Sequence, residues 1–221
     1  EERKVITITR DIVKLEDQLA KAYIVERKRD GKTEKLGIIN LPGFYDKCSN
    51  HCHKLIERLK MEGVDGIVLD LRQNGGGILQ EAINLTGLFI EEGPVVQVRR
   101  YNGQQSLLKD KDSRIIYDGP LIVAVSHMSA SASEIVAAAL QDHGRAIVVG
   151  GKVTHGKGTV QQILPLNRSF IANLNKDSGQ LKFTISKFYR INGSTTQRDG
   201  VRPDIILPSV FDYLGMSEAE L

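Results

Sequence analysis

No charge of one sign dominates these 221 residues: 30 Lys and Arg stand against 27 Asp and Glu, a formal net charge of +3. So small a surplus gives no electrostatic footprint for nucleic acid. No apolar run approaches the roughly 20 residues that a membrane-crossing helix needs. Cysteine is scarce, at 2 residues, and the chain is long enough to bury a core without a disulfide or metal staple. Internal repeats and low-complexity linkers are missing too. So are an export signal and an initiating Met: the chain opens Glu1-Glu2-Arg3-Lys4 and ends on the polar stretch Ser217 to Leu221. A piece of a longer protein is expected to look this way. What remains is an ordinary globular mix, 41% hydrophobic and 26% charged, at the size of one large domain or two small ones.

Periodicity sets out the elements. Val5 to Thr9, Ala20 to Glu26 and Leu36 to Leu41 read as strands, the last two joined by a turn at Arg29-Asp30-Gly31-Lys32. Apolar residues at 48, 52, 55, 56 and 59 predict a helix that Gly63 ends. Gly66 to Leu71 reads as a strand buried on both faces. Leu79 to Thr86 and Ala132 to Leu140 predict two more helices. Val95 to Val98, Leu121 to Val125 and Ala146 to Val149 predict further strands, and β character returns after Gly158 and through Gln180 to Tyr189. Asp110-Lys111-Asp112 reads as a solvated loop. Strands alternating with helices imply an α/β fold, a mostly parallel sheet with covering helices, extended by antiparallel-looking strands at both ends. Such folds place their sites in loops at the carboxyl ends of the central strands.

Three of those loops hold unusual residues. In the first, Asn74-Gly75-Gly76-Gly77, the glycines let the backbone approach a ligand and expose N–H groups; a plain strand-to-helix turn would also use them. The second, Ser129-Ala130-Ser131-Ala132-Ser133-Glu134, lies just before a helix whose N-terminus favours negative charge. Ser131-x-x-Glu134 also fits a capping box. In the third, Gly151 to Lys157 matches the start of a phosphate-binding loop. Gly158 then stands where Ser or Thr would hold magnesium, and Val160 to Pro165 does not read as a helix, so a nucleotide is not expected. Lys157 between two glycines can instead act as a general base if it is desolvated and no carboxylate sits beside it; a solvated loop lysine is the plainer alternative. Jointly the loops suggest a serine nucleophile, a lysine base and a backbone oxyanion hole.

The stretches DLRQNGGGI at 70–78, SASASEI at 129–135, GRAIVVG at 144–150, GKGTVQQ at 156–162 and KFYRINGSTTQRDGVRPDI at 187–205 resemble the tail-specific protease family, the C-terminal processing peptidases. The resemblance runs from ITRD at 8–11 to PDIILPS at 203–209. It implies a crotonase- or ClpP-like core, with residues 1–221 as one peptidase core domain lacking its PDZ domain and flanking regions. It implies a serine endopeptidase that needs neither cofactor nor metal and acts on polypeptides with flexible C-terminal tails, in a bacterial cell envelope or periplasm. Ser131 would be the nucleophile, Lys157 the base and Gln161 the residue that orients it; the N–H groups of Gly77 and Ala132 would form the oxyanion hole. Four residues of straight strand span about 13 Å, so a Lys157–Gln161 contact needs a bend, which Gly158 permits, or two side chains leaning together. Asp142 is expected to support structure.

Other assignments compete. His155 or His143 could serve as base, in a Ser131–His155–Asp142 arrangement. Cys48, His51 and Cys52 share one helical face, which makes zinc conceivable, although both cysteines also align with Leu55, Ile56 and Leu59 as partly buried thiols. The scaffold could equally carry a catalytically silent or non-peptidase domain that binds acyl groups or peptides.

Overall fold

The structure, a computed structural model, describes residues 18–166, 179–209 and 218–219. The strand expected at Val5 to Thr9 lies outside them. Strands β1 (Lys21–Arg29) and β2 (Lys32–Asn40) form a hairpin. Its two turn residues, Asp30 and Gly31, both take positive φ, at 49° and 77°, which matches the right-handed twist of the flanking strands. Helix α1 (Cys48–Met61) then leads to β3 (Gly66–Asp70), α2 (Leu79–Gly87), β4 (Gly93–Arg100), β5 (Gln105–Asp110), β6 (Leu121–Val125), α3 (Ala132–Asp142), β7 (Ile147–Gly150), β8 (Thr159–Pro165), β9 (Gln180–Tyr189) and β10 (Ile205–Ile206).

Among the described residues these strands make two sheets. The first has the order β1-β2-β3-β6-β7-β10 and is parallel from β2 onward, with β1 added antiparallel at its edge. The second, β5-β4-β9-β8, is antiparallel throughout. Thus one antiparallel end extends the parallel sheet as expected, while β4, β5, β8 and β9 build a sheet of their own. The reason is the helical layer: α3 meets β7 of the first sheet and β4 of the second, and α2 meets β4 and β5. A helix between two layers needs apolar residues all round. The alanine-rich α3 comes close to that: every residue from Ala132 to Leu140 is buried, and all but Ser133 and Glu134 are apolar.

The central strands carry the site loops at their carboxyl ends, as a parallel sheet requires. Asp70 ends β3 before the glycine loop, Val125 ends β6 before the serine loop, and Gly150 ends β7 before the lysine loop. No described helix is long and apolar enough to cross a membrane.

Candidate active site

The glycine and serine loops are tied by Asn74, which is fully buried. Its Nδ2 donates to the Leu41 carbonyl at 2.9 Å, and its Oδ1 accepts from Gly76 N–H at 2.9 Å. Its carbonyl accepts from Ala130 N–H at 3.1 Å and from Ser133 Oγ at 2.7 Å. The three serines of the second loop thereby separate. Ser129 and Ser133 are wholly buried and spend their hydroxyls on the Leu71 and Asn74 carbonyls. Ser131, between them, instead lines a cleft of about 530 Å³.

Ser131 sits at the N-cap of α3 with φ 56° and ψ −111°, a conformation costing about 1–3 kcal/mol that functional sites tend to retain. Gly76 makes room for it: a Cβ there, at φ 102°, would lie 2.8 Å from Ser131 Cβ and 2.7 Å from the Ala130 carbonyl oxygen. Gly76→Ala should therefore lower stability by about 1–3 kcal/mol and strip most of the activity; a melt and a peptidase assay on the same sample check both.

The capping-box expectation and the nucleophile expectation fall on the same residues. Glu134 does reach back to Ser131 N–H, at 2.7 Å. The same carboxylate also accepts from Thr154 Oγ1 at 2.6 Å, Gly156 N–H at 2.7 Å and Lys157 N–H at 3.0 Å. One wholly buried carboxylate thus fixes the serine turn and the lysine loop to each other. Burial pushes it up to about 7, against the pull of its four hydrogen bonds. Sequence reading assigned Glu134 only to the cap; its Ser131-x-x-Glu134 spacing was the one visible signal, and its reach to Lys157 was not visible.

Lys157 is half-buried and lines the same cleft, with Gly77, Ala132 and Gln161. Its Nζ donates to Gln161 Oε1 at 3.2 Å, and it forms no ion pair among the described residues. Lys157, Thr159, Gln161 and Ile163, alternate residues, all line the cleft. The two long side chains lean together along one face, and a bulge interrupts the ladder between Val160 and Gln161. Gly158 is glycine for another reason, because a Cβ there would lie 2.8 Å from Gln197 N. Ala132 opens α3, where an N–H has no intrahelical acceptor. Gly77, at φ 144°, bridges to Phe44 through its neighbours: Phe44 N–H bonds the Gly76 carbonyl and Ile78 N–H bonds the Phe44 carbonyl. That pairing leaves the Gly77 N–H directed elsewhere. Ile78, Leu79, Ile135, Val160 and Phe188 give the cleft its apolar lining, and Lys182 stands at its edge.

The competing assignments do not converge here. Asp142 is taken by Arg190, whose Nη2 and Nε donate to it at 2.6 and 3.0 Å. His143 Nε2 donates to the Pro94 carbonyl at 2.8 Å. His155 is not part of the cleft lining; its Nδ1 lies 3.7 Å from a Glu218 carboxylate oxygen. Cys48 and Cys52 are fully buried in the core, more deeply than partly buried thiols, and burial pushes Cys52 up to about 12. His51 turns to Tyr45, with Nδ1 and Oη 3.0 Å apart. Among the described residues no three His, Cys, Asp or Glu side chains group as metal ligands.

Residues 35–207 match the family described as Peptidase family S41. A tail-specific protease of Haemophilus influenzae is 45% identical over 210 residues, 95% of this chain and 29% of that protein. A carboxy-terminal-processing protease of Bartonella bacilliformis is 35% identical over 91% of this chain and 43% of its own length. The solved photosystem II D1 C-terminal processing protease superposes with a TM-score of 0.71 at 26% identity, covering 85% of this chain and 48% of that one. The chain thus spans less than half the length of each of these relatives.

Proposed function

The chain belongs to peptidase family S41, and from that premise we propose that it supplies the catalytic core of a serine endopeptidase working through Ser131 and Lys157. The observation that carries this reading is the single cleft that Ser131, Lys157, Gln161, Gly77 and Ala132 all line. A silent binding domain has no call for a strained serine and a lysine in one cleft.

In this mechanism the neutral Lys157 amine takes the Ser131 hydroxyl proton as Oγ bonds to the scissile carbonyl carbon. Gln161 Oε1 holds Nζ in place. The N–H groups of Gly77 and Ala132 receive the developing oxyanion. The C–N bond then breaks, and the Lys157 ammonium passes its proton to the leaving amine. Water, deprotonated by Lys157, hydrolyses the Ser131 ester and regenerates the enzyme. No step requires a metal or organic cofactor. The apolar wall formed by Ile135, Val160 and Phe188 suits an uncharged side chain beside the scissile bond and, once filled, keeps water from Lys157.

The substrates we assign are polypeptides with flexible C-terminal tails, delivered by a PDZ domain outside this core, in a cell envelope. The test is covalent. A fluorophosphonate should add once to the full-length protein, on the peptide containing Ser131, and cleavage of an unfolded polypeptide should fall in step with labelling. Full labelling with undiminished cleavage would overturn the assignment.

A further inference from the structure

Lys157 is held from two sides, and Glu134 accounts for only the inner one. The outer side is the turn 195–201. Arg198 N–H donates to the Gly156 carbonyl at 2.7 Å, and Thr154 N–H donates to the Val201 carbonyl at 3.2 Å. Gly158 N–H donates to Gln197 Oε1 at 2.8 Å. Both glycines beside Lys157 are pressed against this turn: a Cβ at Gly156 would lie 3.0 Å from the Arg198 carbonyl oxygen, and one at Gly158 would lie 2.8 Å from Gln197 N. The backbone on both sides of Lys157 is therefore gripped, and its side chain is what remains to reach the cleft.

Gln197 is in turn held by a residue beyond the last strand. Its Nε2 donates to Glu218 Oε1 at 3.1 Å, while Glu218 N–H donates to the His155 carbonyl at 2.7 Å. The other Glu218 oxygen lies 3.7 Å from His155 Nδ1. Glu218 thus bonds the lysine loop directly at His155 and indirectly, through Gln197, at Gly158. Neither Gln197 nor Glu218 lines the cleft, so neither can touch substrate there.

We propose that Gln197 and Glu218 form a latch that positions Lys157 against Ser131, through which the chain around residue 218 acts on the catalytic rate. The inference rests on Lys157 being the base. An amide serves at 197 because the position must accept from Gly158 and donate to Glu218 at once; only Asn or Gln offers both in a fixed geometry. Opening the latch lets Lys157 drift while the apolar cleft stays intact. The cost then falls on kcat and not on KM, since even small displacements of a reacting group are expensive.

The experiment is a swap in the full-length protein. Glu218→Ala and Gln197→Ala should each lower kcat about 10-fold with KM within about 2-fold, and the rate of fluorophosphonate labelling should fall in parallel. Gln197→Glu alone places a carboxylate against Glu218 and should do the same. The double variant Gln197→Glu/Glu218→Gln restores every polarity: a carboxylate at 197 accepts from Gly158 N–H and from the new amide. It should recover kcat to within about 3-fold of the parent. Melting curves run alongside separate a latch from mere instability, because the swap requires rescue at the same fold stability. Failure of the double variant to recover, or single variants that leave kcat untouched, would overturn the latch. Retention of cleavage by Lys157→Ala would instead overturn the lysine-base reading beneath it.

Discussion

Ser131→Ala should lower kcat/KM on an unfolded polypeptide by at least about 10³-fold, and Lys157→Ala by the same order. The loss should appear in kcat, since a hydroxyl and an amine contribute little to the apolar cleft that holds the substrate. Because the two groups act on one proton, removing both should cost no more than removing either; independent contributions would multiply instead. Lys157→Arg should fail to rescue, for a guanidinium stays charged and cannot accept the serine proton. His155→Ala is the discriminating control. His155 is not among the residues that line the cleft, so its loss should cost less than about 10-fold. Activity lost with His155 and kept with Lys157→Ala would reverse the assignment of the base.

The alternating pattern made the fold legible where one face or both faces of an element meet the core. The buried strand β3, the amphipathic α1 and the alanine-rich α3 stand where the periodicity put them. The separate antiparallel sheet was not legible, because partner choice for β4 and β9 depends on a helical layer that periodicity does not locate. The candidate site was legible at residues whose type is chemically odd for a loop: a glycine run, a serine between small residues, a lysine between glycines. Residues that work by long-range hydrogen bonding were not. Asn74 joins Leu41 to Ala130 and Ser133, and Gln197 joins Gly158 to Glu218. Both are ordinary loop amides in sequence, and only the fold supplies their partners. Glu134 lies between these cases, since its local cap could be read and its distant donors could not.

Glu134→Gln should cost about 10²-fold in kcat. The carboxylate offers two oxygens to four donors: Ser131 and Lys157 N–H on one, Thr154 Oγ1 and Gly156 N–H on the other. An amide keeps one oxygen and turns its NH₂ toward two of those donors, so N–H faces N–H whichever way it is placed. The serine turn or the lysine loop must then shift, and a displacement near 1 Å between reacting groups costs about 10²-fold. Glu134→Ala leaves all four donors without the acceptor and should also destabilise the fold, by about 3–5 kcal/mol. The same carboxylate sets a pH signature. Its folded value of about 7 lies above the ordinary 4.5 because burial disfavours the charge. Below about pH 4.5 it is protonated whether the chain is folded or not. Between about 4.5 and 7 the folded state keeps a proton that the unfolded chain has released. Stability should therefore fall as pH rises through that window, by about 3 kcal/mol, and level off above it. Asp70 and Glu81 act in the opposite direction and at lower pH: burial raises both, but hydrogen bonds from Arg72 and Ser49 hold them below their ordinary values. Urea melts from pH 4 to 8 on the parent and on Glu134→Gln isolate the contribution, since the amide cannot titrate. Parallel stability curves for the two proteins would show that Glu134 is ionised throughout, its four hydrogen bonds outweighing its burial.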